Sequence, residues 1–323
     1  MNKYMIGIDI GGTSIKFGLF TAEGELLHKW NIPTRTEDNG FFILPDTWAS
    51  IKEILEKKDI TTDEILGIGA GIPGFISSEE GIVHYGTNIG WRNKQFTKEL
   101  SDLSGLPVFI ENDANMAVLG ENWQGAGNEG KHVIAVTLGT GVGGGIIANG
   151  SILNGISGMA GELGHILIEE NGAPCNCGKS GCLETIASAT GIVRLAKDLS
   201  IKQPESELAK MYNEKKDLTA KDVFQLAEKA DKAAMEIVST VAATLGRTFA
   251  DLGVILNPEK ILIGGGVSQA GEPFINQIRD HFEAYALPRV KANCEIKQAV
   301  LGNDAGIIGA AFCVKQNVEK SLL

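Results

Sequence analysis

The apolar positions of the chain come in short runs that break at glycine turns. Residues 5–20 read MIGIDIGGTSIKFGLF: an apolar run, an acidic residue, a glycine turn and a second apolar run. Residues 133–148, VIAVTLGTGVGGGIIA, repeat that plan 128 positions later, and setting Asp9 on Thr137 also sets Ile10 on Leu138 and Gly11 on Gly139. Each stretch predicts a hairpin whose turn exposes several backbone N–H groups. A third glycine group, Gly264, Gly265 and Gly266, follows the short apolar run at 260–263, which predicts a buried strand. Before it, Thr219 and Asp222 form a capping-box-like start to a helical stretch over 219–252, with helical apolar spacing from 233 and a stop at Asn257-Pro258. Residues 106–110 predict a strand, followed after Glu111-Asn112-Asp113 by a helix from 114 to about 123. Residues 67–75 predict an apolar strand ending in Gly-Ile-Pro-Gly, and 84–91 a polar loop containing Asn88.

Composition narrows the class. A chain of 323 residues exceeds the usual single-domain size, so two domains are expected. Glycine is in excess, 41 residues or roughly 13% against an average near 7%. Most of that excess sits in short clusters after apolar runs, as in turns that handle phosphate and unlike flexible linkers. With 29 basic and 40 acidic residues the net charge is -11, which disfavours nonspecific binding to nucleic acid or an anionic membrane. No apolar stretch reaches membrane-span length, and the first residues read as a strand without a signal-peptide core. Clustered thiols without a secretion signal point to a reducing cytoplasm.

Three of the five cysteines fall in CNCGKSGC at 175–182, and His165 closes GELGH at 161–165. One imidazole and three thiolates are donors a tetrahedral zinc prefers. Zinc on His165, Cys175, Cys177 and Cys182 would have a closed shell, with no position for an activated water, and would be structural. Gly178 and Gly181 would let the chain turn around the ion. A disulfide, or reduced thiols without an ion, is the alternative, although Cys175 and Cys177 are too close in sequence for an easy mutual disulfide. Glu162 and Glu184 flank the cluster.

The glycine turns, with hydroxyls from Thr13, Thr137 and Thr140 nearby, suit phosphate oxygens, because glycine lets backbone amides approach closely. Neither carries the dinucleotide-binding or P-loop pattern. Plain turns, and a close helix–strand crossing at 264–266, are the bland readings. Asp113 stands at a strand-to-helix junction, where helix N–H groups favour an ionised carboxylate. It could cap the helix, as could Asn112. It could also serve as general base toward a hydroxyl attacking a phosphoryl group, with Asn112 holding a neighbouring hydroxyl; the two roles are compatible.

Asp9-Ile10-Gly11-Gly12-Thr13, Glu111-Asn112-Asp113-Ala114-Asn115, the 137–145 glycine stretch, the 161–165 motif and the 175–182 cluster together resemble the ROK family of bacterial repressors, open-reading-frame proteins and sugar kinases. The resemblance covers essentially the whole chain, and the run at 173–194 looks most like the glucose kinases of low-GC Gram-positive bacteria. It implies an α/β, two-domain actin/hexokinase-like (RNase H-like) fold: a smaller domain of 1–114 plus 304–323, where a C-terminal helix returns, and a larger domain of 115–303 with the zinc site. The sugar would lie in a cleft between them.

The activity implied is ATP-dependent phosphorylation of glucose at its 6-hydroxyl, or of N-acetylmannosamine, mannose or fructose, with Asp113 as base. Asn112, Glu162, His165 and Glu184, and more weakly Gly71 and Asn88, would bind the sugar. ATP phosphates would lie on Gly11, Gly12 and Thr13 and on Thr140 and Gly141, with Gly264, Gly265 and Gly266 near the adenosine. Asp9 would order Mg²⁺ through water, unless it serves a salt bridge or the turn. A bulky residue at Gly12 or Gly141 is expected to weaken ATP far more than glucose. A homodimer is implied as well. The family's repressors carry a DNA-binding helix-turn-helix in front of the first motif, for which a motif starting at Asp9 leaves no room.

Overall fold

A computed structural model describes residues 3–86, 88–215 and 217–321. The chain forms two compact units of nearly equal length. The first runs to Glu129 and takes in Ile152–Ala160 and the chain from Leu301 onward. The second comprises Gly130–Ser151 and Gly161–Val300.

In the first unit the order is β1 (Tyr4–Ile10), β2 (Ser14–Thr21), β3 (Leu26–Pro33), β4 (Ile65–Ile72), then β5 (Gly74–Ser77), β6 (Ile82–Gly86), β7 (Arg92–Lys94) and β8 (Val108–Asn112). Five of these form a sheet in the order β3-β2-β1-β4-β8, while β5, β6 and β7 form a small sheet of their own. The expected loop at 84–91 is thus partly strand, with Asn88 in the turn that follows β6 at φ 62°. β1 pairs antiparallel with β2 and parallel with β4, and β4 pairs parallel with β8.

The second unit repeats this plan. Its strands β9 (Val133–Leu138), β10 (Val142–Ala148), β11 (Ser151–Ile152), β12 (Lys260–Gly264) and β13 (Glu295–Gln298) lie in the order β11-β10-β9-β12-β13. Here β9 is antiparallel to β10 and parallel to β12, and β12 is parallel to β13. The likeness between residues 5–20 and 133–148 therefore extends to the sheets around them.

Long helices fill the second core. Ile237, Val241, Leu245 and Phe249 of the helix Lys232–Leu256 recur every fourth residue and are buried, together with Phe274, Ile278 and Phe282 of the helix Glu272–Tyr285. The helical stretch expected over 219–252 is in fact two helices. Ala220–Glu228 starts on the Thr219–Asp222 capping box, and Lys232–Leu256 starts on Asp231, whose carboxylate accepts from the Ala234 amide at 2.9 Å. Ala230 at φ 63° makes the break between them, and Asn257 at φ 44° ends the second before Pro258. No described helix is long and apolar enough to cross a membrane.

In the first unit the C-terminal helix Ala305–Ser321 lies against β1, β4 and the helix Asp113–Gln124 at backbone contact. A Cβ at Gly309 would run into the Met116 carbonyl, one at Gly120 into that of Ala305, and ones at Gly7 and Gly69 into those of Ile307 and Ala310. Glycine is required here because nothing larger fits. This packing keeps the Asp113 helix with β1–β8, so the division falls after Glu129 and not within that helix, after residue 114.

Alanine ordinarily favours a helix over glycine by about 1 kcal/mol. Gly309→Ala should do the opposite and destabilise the protein by at least about 1–3 kcal/mol, the usual cost of forcing atoms into a filled site. Urea unfolding measures this directly, and an unchanged or raised midpoint would contradict the close crossing.

Candidate active site

The register of the first sheet puts Asp9 beside Gly71 and Gly71 beside Glu111, one row across the carboxyl ends of β1, β4 and β8. Asn112 pairs with Ile72 in the next row, and Asp113 opens the helix. Carboxyl ends of parallel strands are where open α/β sheets bind ligands. Asn112 is the helix cap: its Oδ1 accepts from the amides of Ala114 at 2.9 Å and Asn115 at 3.3 Å, and its Nδ2 donates to the Gly74 carbonyl at 3.2 Å. Asp113 is half-buried, and its Oδ1 accepts from the Ala114 amide at 2.9 Å. At Gly71 glycine has a packing reason, since a Cβ there would sit 3.2 Å from Met116 Cγ.

Lys16 Nζ donates to Asp9 Oδ2 at 3.0 Å. The sequence contained the signal for this pair, because a hairpin that turns at 11–13 sets Asp9 opposite Lys16. The turn itself is held by the Gly11 amide donating to the Ser14 carbonyl at 3.0 Å and by Thr34 Oγ1 donating to the Gly11 carbonyl at 2.7 Å, leaving Gly12 and Thr13 exposed. Asn88 lies against it, its Cβ 3.3 Å from where a Cβ of Gly12 would be. Asp9, Gly11, Gly12, Thr13, Gly71, Asn88, Asn112 and Asp113 thus share one unit.

In the second unit Gly264 pairs with Thr137, which brings the second turn and the third glycine group to the carboxyl ends of β9 and β12. Gly265 has φ 84°, and a Cβ on it would lie 2.5 Å from the Leu138 carbonyl oxygen, so this glycine serves a close crossing. Gly139 and Gly266 have open space where a side chain would start. At Gly141 a Cβ would lie 2.7 Å from Glu184 Oε2. A cavity of about 340 Å³ joins this turn to the thiol loop, lined by Thr140, Gly141, Cys175, Glu184, Thr190 and Arg194 among others. A roomier hollow of about 700 Å³, bordered by Glu205, Lys229 and Asp231, contains none of these residues.

His165, Cys175, Cys177 and Cys182 come together with their donor atoms all within 4.8 Å of one another, a set that could hold a metal ion. Gly178 at φ 89° and Gly181 at φ 74° form the loop, and the Cys175 amide donates to the Lys179 carbonyl at 2.8 Å. All five cysteines are free thiols. Cys175 Sγ is 3.6 Å from His165 Nδ1, and Cys177 Sγ is 3.7 Å from Cys182 Sγ. The other imidazole nitrogen, Nε2, is 3.9 Å from Glu162 Oε2.

Cys175 donates to Glu184 Oε1 at 2.9 Å; burial, and then that bond, push its thiol up to about 12. The Lys179 amide holds Cys177 below the usual thiol range, and burial raises Cys182. A cation among them would take over the role of the protons, since metal ligation deprotonates thiols. Glu162, His165 and Glu184 thus lie around one cluster.

A model of the ROK family matches residues 5–317. A glucokinase of Halalkalibacterium halodurans is 49% identical over 316 residues, 98% of this chain and 96% of its own length. The chain belongs to the ROK family. Among solved structures, a ROK family glucokinase from Streptomyces griseus in complex with glucose and AMPPNP is 33% identical, with a TM-score of 0.77 and coverage of 97% of this chain and 99% of that one. A ROK family transcriptional regulator is 26% identical, with a TM-score of 0.87, and the match covers 100% of this chain and 80% of the regulator. The fold is the two-domain, actin-like one of ROK sugar kinases.

Protein purified without chelators should carry about one metal ion per chain, and Cys182→Ser should lose it. Elemental analysis of both tests the cluster, and equal metal content in the two would show that the four residues do not form one site.

Proposed function

We propose that the protein is a glucokinase, transferring the γ-phosphoryl group of ATP to the 6-hydroxyl of glucose. The observation that carries this reading is the end-to-end likeness, at 49% identity, to a relative named glucokinase. Asp113 is the general base: it opens the helix at the carboxyl end of β8, beside Asn112, and its half-buried carboxylate takes the proton of the attacking hydroxyl. Asn112, Glu162, His165 and Glu184 hydrogen-bond the sugar, with Gly71 and Asn88 as lesser contacts. The amides of Gly11–Thr13 and of Thr140–Gly141 position the phosphates, and Gly264–Gly266 face the adenosine.

Mg²⁺ arriving with ATP would spread charge over the phosphoryl oxygens, and Asp9, fixed by Lys16, is the carboxylate suited to order it. Zinc fits the thiol cluster. Two sulfurs at about 2.3 Å from a tetrahedral zinc lie about 3.8 Å apart, close to the 3.7 Å between Cys177 and Cys182. With Nδ1 on the metal, His165 keeps Nε2 for the sugar or for Glu162, so one imidazole serves both assignments. Thiol ligands suit a reducing cytoplasm, and a homodimer is the assembly proposed.

Asp113→Asn should lower turnover by roughly 10² or more while glucose still binds. A coupled assay together with glucose titration measures both, and near-wild-type turnover would reduce Asp113 to a structural residue. The same assay with a panel of hexoses tests the substrate, and faster turnover of N-acetylmannosamine or fructose would move the specificity.

The crowding at Gly141 changes what a glycine variant reports. Gly141→Val meets Glu184, a proposed sugar contact, and should weaken glucose as well as ATP. Gly266→Ala has room for its methyl and should raise the ATP KM several-fold with the glucose KM unchanged. Equal effects on both substrates in Gly266→Ala would remove the 264–266 segment from the nucleotide site.

A further inference from the structure

Glu111 is one of two buried carboxylates among the described residues, only 7% exposed, and it accepts from four neutral donors. Oε1 accepts from the Asn112 amide at 2.8 Å and from Asn115 Nδ2 at 3.1 Å. Oε2 accepts from Ser78 Oγ at 2.8 Å and Asn154 Nδ2 at 2.9 Å. Four donors occupy a group with about four lone-pair sites. They come from the end of β8, the first turn of the Asp113 helix, the connection between β5 and β6, and the segment Ile152–Ala160. Asn154 Oδ1 also accepts from Asn115 Nδ2 at 3.2 Å, which closes a ring of three side chains.

Burying a carboxylate without a cation is costly, and an apolar residue of similar size at this position would avoid that cost. What the charge gains is convergence, because only an acceptor with two oxygens can gather four donors from four segments. Two of those segments bear on chemistry. Asn112 and Asp113 follow Glu111 directly, and the Ile152–Ala160 segment leads within two residues into Glu162.

We propose that Glu111 is a positioning residue for phosphoryl transfer: its carboxylate sets where Asn112 and Asp113 emerge from β8 and fixes the 152–160 segment to the same point. This rests on the reading of Asp113 as the base. Misplacing a reacting group by about 1 Å costs on the order of 10²-fold. Glu111→Gln replaces one oxygen with an NH₂ group that faces donors. Asn154 cannot turn its amide to compensate without losing its bond from Asn115.

The test combines kinetics with hydrogen exchange. Glu111→Gln should lower kcat by about 10- to 100-fold, with the ATP KM within a few-fold of wild type. Amide exchange should rise in both 111–116 and 152–160. Asn154→Asp alone, which sets two carboxylates together, should be impaired too. The double variant Glu111→Gln with Asn154→Asp exchanges donor for acceptor across the same contact, and it should recover most of the lost turnover and protection.

Ser78→Ala, which removes one donor only, should give a smaller loss of the same kind in a protein that unfolds normally. Wild-type kcat in Glu111→Gln would overturn the proposal, as would unchanged exchange in either segment or a double variant no better than the worse single one. If wild-type protein showed no turnover of any hexose, the kinase reading would fall. The exchange measurements and their rescue would still decide whether Glu111 joins the two segments.

Discussion

Backbone lies directly on backbone where the C-terminal helix crosses the first sheet, and the positions of the chemical groups in that unit depend on this crossing. Carbonyls of Ile307 and Ala310 occupy the space that side chains at Gly7 and Gly69 would need, and the Met116 carbonyl does the same at Gly309. Interiors packed this tightly transmit displacement and do not absorb it. Gly306 rests on Asp9, a Cβ there lying 3.1 Å from the Asp9 carboxyl carbon, so the helix that closes the core also limits the first acidic side chain. Its other face grips the helix that begins at Asp113. Asp9 and Asp113 thus owe their separation to the glycines of this crossing.

Much of this was legible in the sequence, for identifiable reasons. The glycine turns were visible because apolar runs on both sides leave a hairpin as the economical solution, and the second sheet follows the first strand for strand. The thiol cluster was visible because its members are close in sequence. Glu111 was passed over, although it stands in the same motif as Asn112 and Asp113. Its partners Ser78 and Asn154 lie 33 and 43 residues away, and no local spacing joins them. The break at Ala230 was missed because apolar periodicity continues on both sides of it, and the interruption spans only residues 229–231, with Ala230 left-handed and Asp231 extended. The place of 152–160 in the first unit was likewise hidden, since its attachment is polar and long-range.

The two turns match in backbone and differ in chemistry. The first has a charged neighbour: Lys16 against Asp9, with Asn88 close to Gly12. At the equivalent place in the second, Thr137 replaces Asp9, Gly143 is its cross-strand partner, and the nearest charge to Gly141 is the carboxylate of Glu184. The fold therefore repeats one turn shape, and the residues around the two copies differ. One turn keeps a lysine–aspartate pair and the other borders the thiol loop.

The first unit is also discontinuous in sequence, and this has a consequence for how the protein is made. Strands β1 to β8 leave the ribosome without the helix that covers Met5, Phe20 and the glycine faces of β1 and β4. At roughly 5–20 residues per second, that helix follows on the order of ten seconds or more later. The second unit, complete at Val300, has all its strands before then. The nascent chain therefore carries an uncovered, apolar first sheet until the last helix arrives. A chain that stopped before Ala305 would hold every strand of the second unit and a first sheet that never closes.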